Sequence, residues 1–345
     1  MTSPVPTQLS AVLLMMKDFK SIARTVRHLV EQTAVRQLEI VIVTTPDKTS
    51  LVNLSTLTTA GAYQVLTIPK LDSAAQGWAE GVRRARSPIA VLCEDHSFPE
   101  PDWAESLIAE HGPEWAAIAP AVHNGNPATA VSWANFLLCF LEWYRPERGG
   151  AVSSGPGHNT CYRRSSLEPY FDSLDHWFNP ERVLHLDMQE KGLRILQSTR
   201  AATHHVNISR PGSYLGHSFV GGRLFGGSRA EHWSWPKAIV YACAFPLVPA
   251  IRLRRILERL NTPERRSAAN FSHTLPWLIA GLFCHAIGEA IGYLAGAGEA
   301  MATYMSFETR RREHVVPEEV AILDAPQHSM VSAAPSRTLL QQPPV

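Results

Sequence analysis

Glu94, Asp95 and His96 stand in a row in VLCEDHSFPEPDW at 91–103, directly after an apolar run and ahead of two prolines and a tryptophan. Two carboxylates beside an imidazole are a donor set for a hard divalent cation, with oxygen ligands preferred and His a tolerable nitrogen donor for manganese. They cannot be core, because burying unpaired charges costs on the order of several kcal/mol each. The triplet is solvated, salt-bridged or cation-holding, and its spacing alone leaves the three open. A further carboxylate, Glu181 in NPERVLHLDMQEKG, follows Asn179 and Pro180. Asn as N-cap, Pro in the first turn and an acid near the positive helix end make that stretch a helix start. His158 and Asn159 come after the Gly-Pro-Gly of SSGPGHNTCY, where free backbone lets a substrate approach closely or simply turns the chain.

The elements that position these residues are legible as an alternation. AVLLMM at 11–16 reads as a buried strand, residues 19–33 as a helix with Ile22, Val26, Leu29 and Val30 at helical spacing, and LEIVIVTT at 38–45 as a second strand. Strand, helix, strand within about 35 residues is a βαβ unit, which implies a parallel sheet with a right-handed crossover. A short strand is expected at 63–69, a helix at 73–86 stopped by Ser87-Pro88, and a buried strand IAVLC at 89–93. Glu94, Asp95 and His96 then sit where a parallel strand emerges at its carboxyl end, the edge at which open α/β sheets bind ligands.

The run AAQGWAEGVRRARSPIAVLCEDHSFPEPDWAESL at 74–107, followed by GPGHNTCYRRSSLEPY at 155–170, an acid on a helix ending at Gly192, the strand LRILQS and a His near 204, resembles family 2 glycosyltransferases. The resemblance spans about residues 11 to 230. It implies an α/β, GT-A fold: a mostly parallel central sheet with helices on both faces, here with a C-terminal helical appendage. It implies a nucleotide-sugar donor, a divalent cation (Mn or Mg) and a saccharide or lipid-linked acceptor in bacterial surface polysaccharide or glycolipid assembly. By position Glu94 would face the ribose or a coordinated water, Asp95 would lie beside the diphosphate, and Asp95 and His96 would be the metal residues. Inverting transfer needs a carboxylate to take the acceptor hydroxyl's proton, and counting back from Gly192 places it on Glu181, with Asp187 as competitor. His158 and Asn159 would line the acceptor pocket. The chain departs from the family where an acid usually touches the base: Thr44 and Thr45 stand there, with Asp47 two residues on. Its triplet is also Glu-Asp-His rather than Asp-x-Asp. Arg223 and Arg229, in HSFVGGRLFGGSRAEHW, are candidates to hold the diphosphate, which a guanidinium fork suits. His204 and His205, after an AAT turn, are further candidates for a metal or phosphate contact, against a structural role. A catalytically inactive scaffold of the same fold and a nucleotidyltransferase are the alternatives, though MMKDFKS lacks a nucleotidyltransferase's glycines.

Charge and composition narrow the partners. With 32 basic and 31 acidic residues in 345, the net charge of +1 speaks against a nucleic-acid binder. Five cysteines, none in a CxxC pair, fit a reducing, cytoplasmic setting, and MTSPVPTQLS does not read as a secretory signal. No uninterrupted apolar run reaches 18 residues, so no orthodox transmembrane helix is expected. Residues 237–266 nevertheless carry seven Lys or Arg against Glu258 and Glu264, beside the uncharged AIVYACAFPLVPAI. Two readings are open: peripheral attachment at the inner face of the cell membrane, or core helices with a solvated basic loop. The division expected is a catalytic domain over 1–235, an apolar and basic helical region over 236–315, and a disordered tail over 316–345. Gly288, Gly292, Gly296 and Gly298 are expected to let helices pack closely.

Overall fold

The strand β1 (Leu9–Leu14) has all six residues buried, as expected of an uninterrupted apolar strand with both faces covered. It lies between β2 (Leu38–Thr44) and β4 (Ile89–Cys93), both parallel to it, and β3 (Ala62–Thr67) extends the parallel set beyond β2. The computed structural model describes residues 6–71, 73–178 and 181–324. Within them β5 (Ser97–Pro99), β6 (Ala117–Asn124), β7 (Gly150–Val152), β8 (Cys161–Arg163) and β9 (Ile195–His205) complete one sheet, in the order β3-β2-β1-β4-β8-β6-β9-β5 with β7 also on β9. β8 is antiparallel to β4 and β6, while β5 and β7 are antiparallel to β9. The other six strands share one direction, so the expected mostly parallel α/β sheet is what the chain forms.

Helices cover both faces. α1 (Phe19–Val30) starts at Asp18, whose Oδ1 accepts from Ser21 N at 3.0 Å. With α3 (Trp103–Glu110) it packs Ile22, Val26, Leu29 and Leu107 against Leu9, Ala11, Leu13 and their neighbours on one face. On the other face α2 (Ala74–Arg84) lies on Val12, Leu14 and Val43. Gly77 and Gly81, one turn apart, let it sit that close: a Cβ on Gly81 would be 2.2 Å from Val12 Cγ1. α4 (Ala130–Cys139), the one-turn α5 (Arg164–Leu167) and α6 (Leu174–Trp177), and α7 (Glu181–Glu190) fill the rest of the catalytic half.

The C-terminal region comprises α8 (Pro211–Ala230), α9 (Trp235–Cys243), α10 (Leu247–Arg259), α11 (Pro263–Ala268), α12 (Phe271–Ala295), α13 (Ala300–Thr309) and α14 (Pro317–Asp324). α8 and α12 meet backbone to backbone. A Cβ on Gly222 would lie 2.0 Å from His285 O, on Gly226 2.2 Å from Glu289 O, and on Gly288 2.0 Å from Phe219 O. Gly288 and Gly292 therefore pack helices as expected. Gly296 and Gly298 follow the end of α12 with φ of 72° and 51°, backbone that favours glycine; a Cβ on Gly298 would stand 2.6 Å from Arg223 Nη2, whereas one on Gly296 would meet nothing.

The expected seam at 235 does not separate two bodies, because α8 on one side packs along α12 on the other, and the chain then returns to the sheet. Ser209 N and Arg210 N both donate to His314 O at 3.1 Å. The tail expected from 316 also needs correction. Pro317–Asp324 is helical, and buried Glu319 accepts from Asn126 Nδ2 at 2.8 Å, which anchors it beneath β6. Residues 325–345 lie outside those described. By length and composition α12 is the one helix among the described residues able to cross a membrane, with 44% of its apolar window buried in the protein, and α9 with α10 pass the same test as a pair bent by 62°.

Candidate active centre

The acidic triplet is the link between β4 and β5. Thr25 Oγ1 donates to Glu94 O at 3.0 Å, and Val206 N donates to His96 O at 2.9 Å, so α1 and the end of β9 clamp it. Of the two carboxylates expected to be solvated, paired or cation-holding, Asp95 is half-buried and Glu94 is buried at 6% exposure, beside His96 at 3%. Company explains it. Glu94 Oε2 accepts from Asn159 Nδ2 at 3.0 Å and lies 3.6 Å from His205 Nε2, and Glu94 Oε1 lies 3.8 Å from His96 Nε2.

The two imidazoles are presented alike. His96 Nδ1 bonds Asp95 Oδ1 at 2.7 Å and His205 Nδ1 bonds Asn207 Oδ1 at 3.1 Å. Because those partners are acceptors, each Nδ1 donates, which turns each Nε2 toward Glu94. Both Nε2 atoms are buried with no hydrogen-bond partner. Burial holds His205 well below its ordinary pKa, and burial raises the Glu94 carboxyl against the opposing pull of His96 and His158. Glu94, His96 and His205 offer ligand atoms all within 4.8 Å of one another. An N2O set with outer groups fixing the imidazole tautomers fits a divalent cation. Asp95 is not a member. Its carboxylate orients His96 from behind, and Glu94 takes the inward position.

His205 reaches this point because β9 does not turn at AAT. It runs through to His205, with a register shift against β6 between Ala119 and Ala121, and pairs Ser97 with His205 through β5.

Glu181 opens α7 and is buried. Its Oε1 is bonded to His158 Nδ1 at 2.9 Å. Gly157 makes the approach possible, since a Cβ there would stand 2.7 Å from Glu181 Oε2 and its φ is +65°. Asn179 and Pro180, the expected helix start, lie outside the described residues. Burial alone would lower the His158 pKa, but the charge and hydrogen bond of Glu181 outweigh it and carry it up to about 9. Trp78 packs on His158 at a 32° tilt with centroids 4.2 Å apart and donates Nε1 to Cys93 O at 3.2 Å. His185, one turn along α7, accepts from Gly155 N through Nδ1 at 3.3 Å and meets the Tyr162 hydroxyl through Nε2 at 2.8 Å. Burial lowers its pKa to about 4, so it stays neutral and ties the glycine loop to α7. Asp187, the competitor, instead accepts from Tyr170 OH and Lys191 Nζ, both at 2.6 Å.

The structure thus gathers Glu94, Asp95, His96, His158, Asn159 and Glu181 with His205. It does not gather the rest. Arg223 donates Nε to Gly296 O at 3.2 Å, and Arg229 lies over Phe225, Trp233 and Tyr241, so both serve the α8–α12 packing. Asp47 is exposed and pairs with Lys48 at 3.6 Å. The guanidinium at the centre is Arg311, buried beside Glu308 with Nη2 2.6 Å from Oε2. His217 also faces Glu308, with Nε2 3.6 Å from Oε1. The only signal for Glu308 and Arg311 was the charged cluster ETRRREH at 308–314, closing an otherwise apolar stretch.

No family model and no curated protein matches the chain. Among solved structures it is similar to GalNAc-T7 with UDP, GalNAc and Mn2+, at 14% identity over 58% of this chain and 44% of that one, with a TM-score of 0.46. It is similar to S. aureus TarS 1–349 in complex with UDP, at 12% identity over 83% and 91%, with a TM-score of 0.43. A third is the mannosyltransferase PcManGT from Pyrobaculum calidifontis in complex with GDP-Man and Mn2+, at 15% identity over 92% and 85%, with a TM-score of 0.43. The chain spans less than half the length of the first of these. Likeness at that level carries no argument about activity, and the functional reading rests on this chain's own geometry.

Proposed function

We propose that the chain is a glycosyltransferase that moves a sugar from a nucleotide-sugar donor to an acceptor hydroxyl with inversion. The observation that carries this is the pairing, at the carboxyl end of β4, of a cation-ready Glu94–His96–His205 set with a separate buried carboxylate, Glu181. Asn159, bonded to Glu94, and His158, bonded to Glu181, are consecutive residues that connect the two. A divalent cation held by Glu94, His96 and His205 would neutralise the leaving diphosphate's charge.

Glu181 takes the proton of the acceptor hydroxyl as its oxygen attacks the anomeric carbon, and the bond from that carbon to the diphosphate oxygen breaks on the opposite face. Oε1 is held by His158, which leaves Oε2, beside Gly157, as the oxygen an acceptor can reach. Trp78 and His185 fix this arrangement from behind. A cavity of about 490 Å³ between Met16, Ser73 and the face of α13 is of the size that holds small ligands and would take the nucleoside.

A membrane-associated, lipid-linked or saccharide acceptor fits the outer surface. Ile279, Phe283, Ile287, Ile291 and Leu294 form an exposed stripe along α12, and Trp235, Val240, Leu247 and Ile251 are exposed on α9 and α10. Lys237, Arg254 and Arg255 lie among them, as interfacial helices on anionic lipid require.

Calorimetric titration with UDP-, GDP- and dTDP-sugars, each with Mn2+, with Mg2+ and with EDTA, tests the reading. Binding that needs the cation and is lost in His205→Ala is expected. In Glu181→Gln, donor binding should persist while transfer falls by about 10² to 10⁴. Retained turnover in that variant removes the base assignment, and no donor binding removes the reading.

A further inference from the structure

α13 and the turn after it bring a carboxylate and a guanidinium into the centre from the far end of the chain. Glu308 Oε2 stands 3.8 Å from His96 Nε2 and Oε1 stands 3.6 Å from His217 Nε2. Both gaps are too long for hydrogen bonds. His96 Nε2, His205 Nε2 and both His217 nitrogens are buried and unbonded, and Arg311, 4% exposed, has its Nε unbonded as well. Glu308 thus occupies the buried space beside the cation set with one close contact, from Arg311 Nη2 at 2.6 Å, while the polar atoms around it stay unbonded.

We propose that Glu308 holds the place of the donor's diphosphate in the resting centre, and that the diphosphate takes Arg311 over from it as α13 moves outward. The proposal rests on the glycosyl-transfer reading and deepens it by naming Arg311 as the donor's guanidinium contact. A diphosphate held by Arg311 cannot share it with Glu308, because Nη2 is already bonded to Glu308 Oε2 at 2.6 Å and two anions would crowd one guanidinium. The means of withdrawal are built in. Gly296 and Gly298, both with positive φ, precede α13. The segment is latched to the loop after β1 by Lys17 and Glu313, 3.3 Å apart with side chains 51% and 54% exposed, and such a surface pair is weak. Met305, Ser306, Thr309 and Arg310 of this segment line the cavity with Met16 and Ser73, so its movement widens the slot it borders.

The test is calorimetric titration of UDP and GDP, in Mn2+, into the unaltered protein, Glu308→Gln and Arg311→Met. Tighter binding by tenfold or more in Glu308→Gln and weaker binding by tenfold or more in Arg311→Met are expected. A salt bridge that serves only the fold would weaken binding in both, and that result, or no gain in Glu308→Gln, overturns the proposal. Hydrogen exchange on the unaltered chain is independent of whether either variant folds. With UDP or GDP and Mn2+ present, residues 300–314 should exchange faster while 89–96 exchange more slowly, and slower exchange over 300–314 overturns the displacement. Absence of binding in the unaltered protein and in Glu308→Gln alike overturns the transfer reading itself, which separates the two failures.

Discussion

The His158–Glu181 contact makes stability depend on pH in a window set by one imidazole. His158 ordinarily titrates near 6.5 and is raised here to about 9, first against the lowering effect of burial and then by the charge and hydrogen bond of Glu181. A folded-state value above the unfolded one means that the contribution is complete below 6.5 and gone above about 9. At about 1.36 kcal/mol per pKa step, the gap amounts to about 3 kcal/mol. Glu181→Gln removes the charge and leaves the burial, so the variant's His158 should titrate below 6.5 and contribute nothing as pH climbs through the same window. The assay is urea unfolding of both proteins at pH 6, 7, 8 and 9, with imidazole nitrogen shifts followed by NMR. Groups that titrate alike in both cancel in the difference. Unaltered protein should lose about 3 kcal/mol relative to the variant between pH 6.5 and 9. Parallel stability curves, or His158 titrating near 6.5 in the unaltered chain, would refute the ion pair and with it the account of how Glu181 is held.

Three further outcomes follow from the packing and the site. Gly226→Ala gains about 1 kcal/mol of helix propensity but places a methyl 2.2 Å from Glu289 O, so a net loss of about 2 kcal/mol is expected in chemical denaturation. Asp95→Ala removes the acceptor behind His96 and should weaken Mn2+ binding by about 10- to 100-fold, read by calorimetry without donor. Trp235→Glu with Leu247→Glu should abolish co-sedimentation with anionic vesicles while donor binding stays unchanged, and vesicle binding that survives the pair would move the contact off α9 and α10.

The parallel half of the sheet was legible because apolar runs ended in clear stop signals. IAVLC at 89–93 is β4 residue for residue, with Ser87-Pro88 before it and the triplet after it. β6 gave no such signal. Pro120 sits inside it, a residue that argues against a central strand, and the chain tolerates it through the register shift against β9. β7 and β8, three residues each, are too short for any period to register. Glu181, His158 and His96 could be singled out by local context, although the inward role of Glu94 could not: adjacent residues emerging from a strand point apart, and which one faces the centre depends on where β9 ends. Glu308, Arg311 and His217 could not be placed at all, because nothing near them in the chain reports that α13 folds back over β4. Arg223 and Arg229 had the right chemistry in a glycine-rich setting, but those glycines serve helix contact.

The return of the C-terminal segment to the sheet bears on how the protein is made. Glu94 is synthesised well before Arg311, and Glu319 ties the last described helix to Asn126. A nascent chain halted after α12 holds every strand of the sheet and α7 yet lacks α13, which borders the cavity beside Met16 and Ser73. On the ribosome the centre stays open until the segment that carries Glu308 and Arg311 has emerged, so its closure waits on residues far downstream of the sheet.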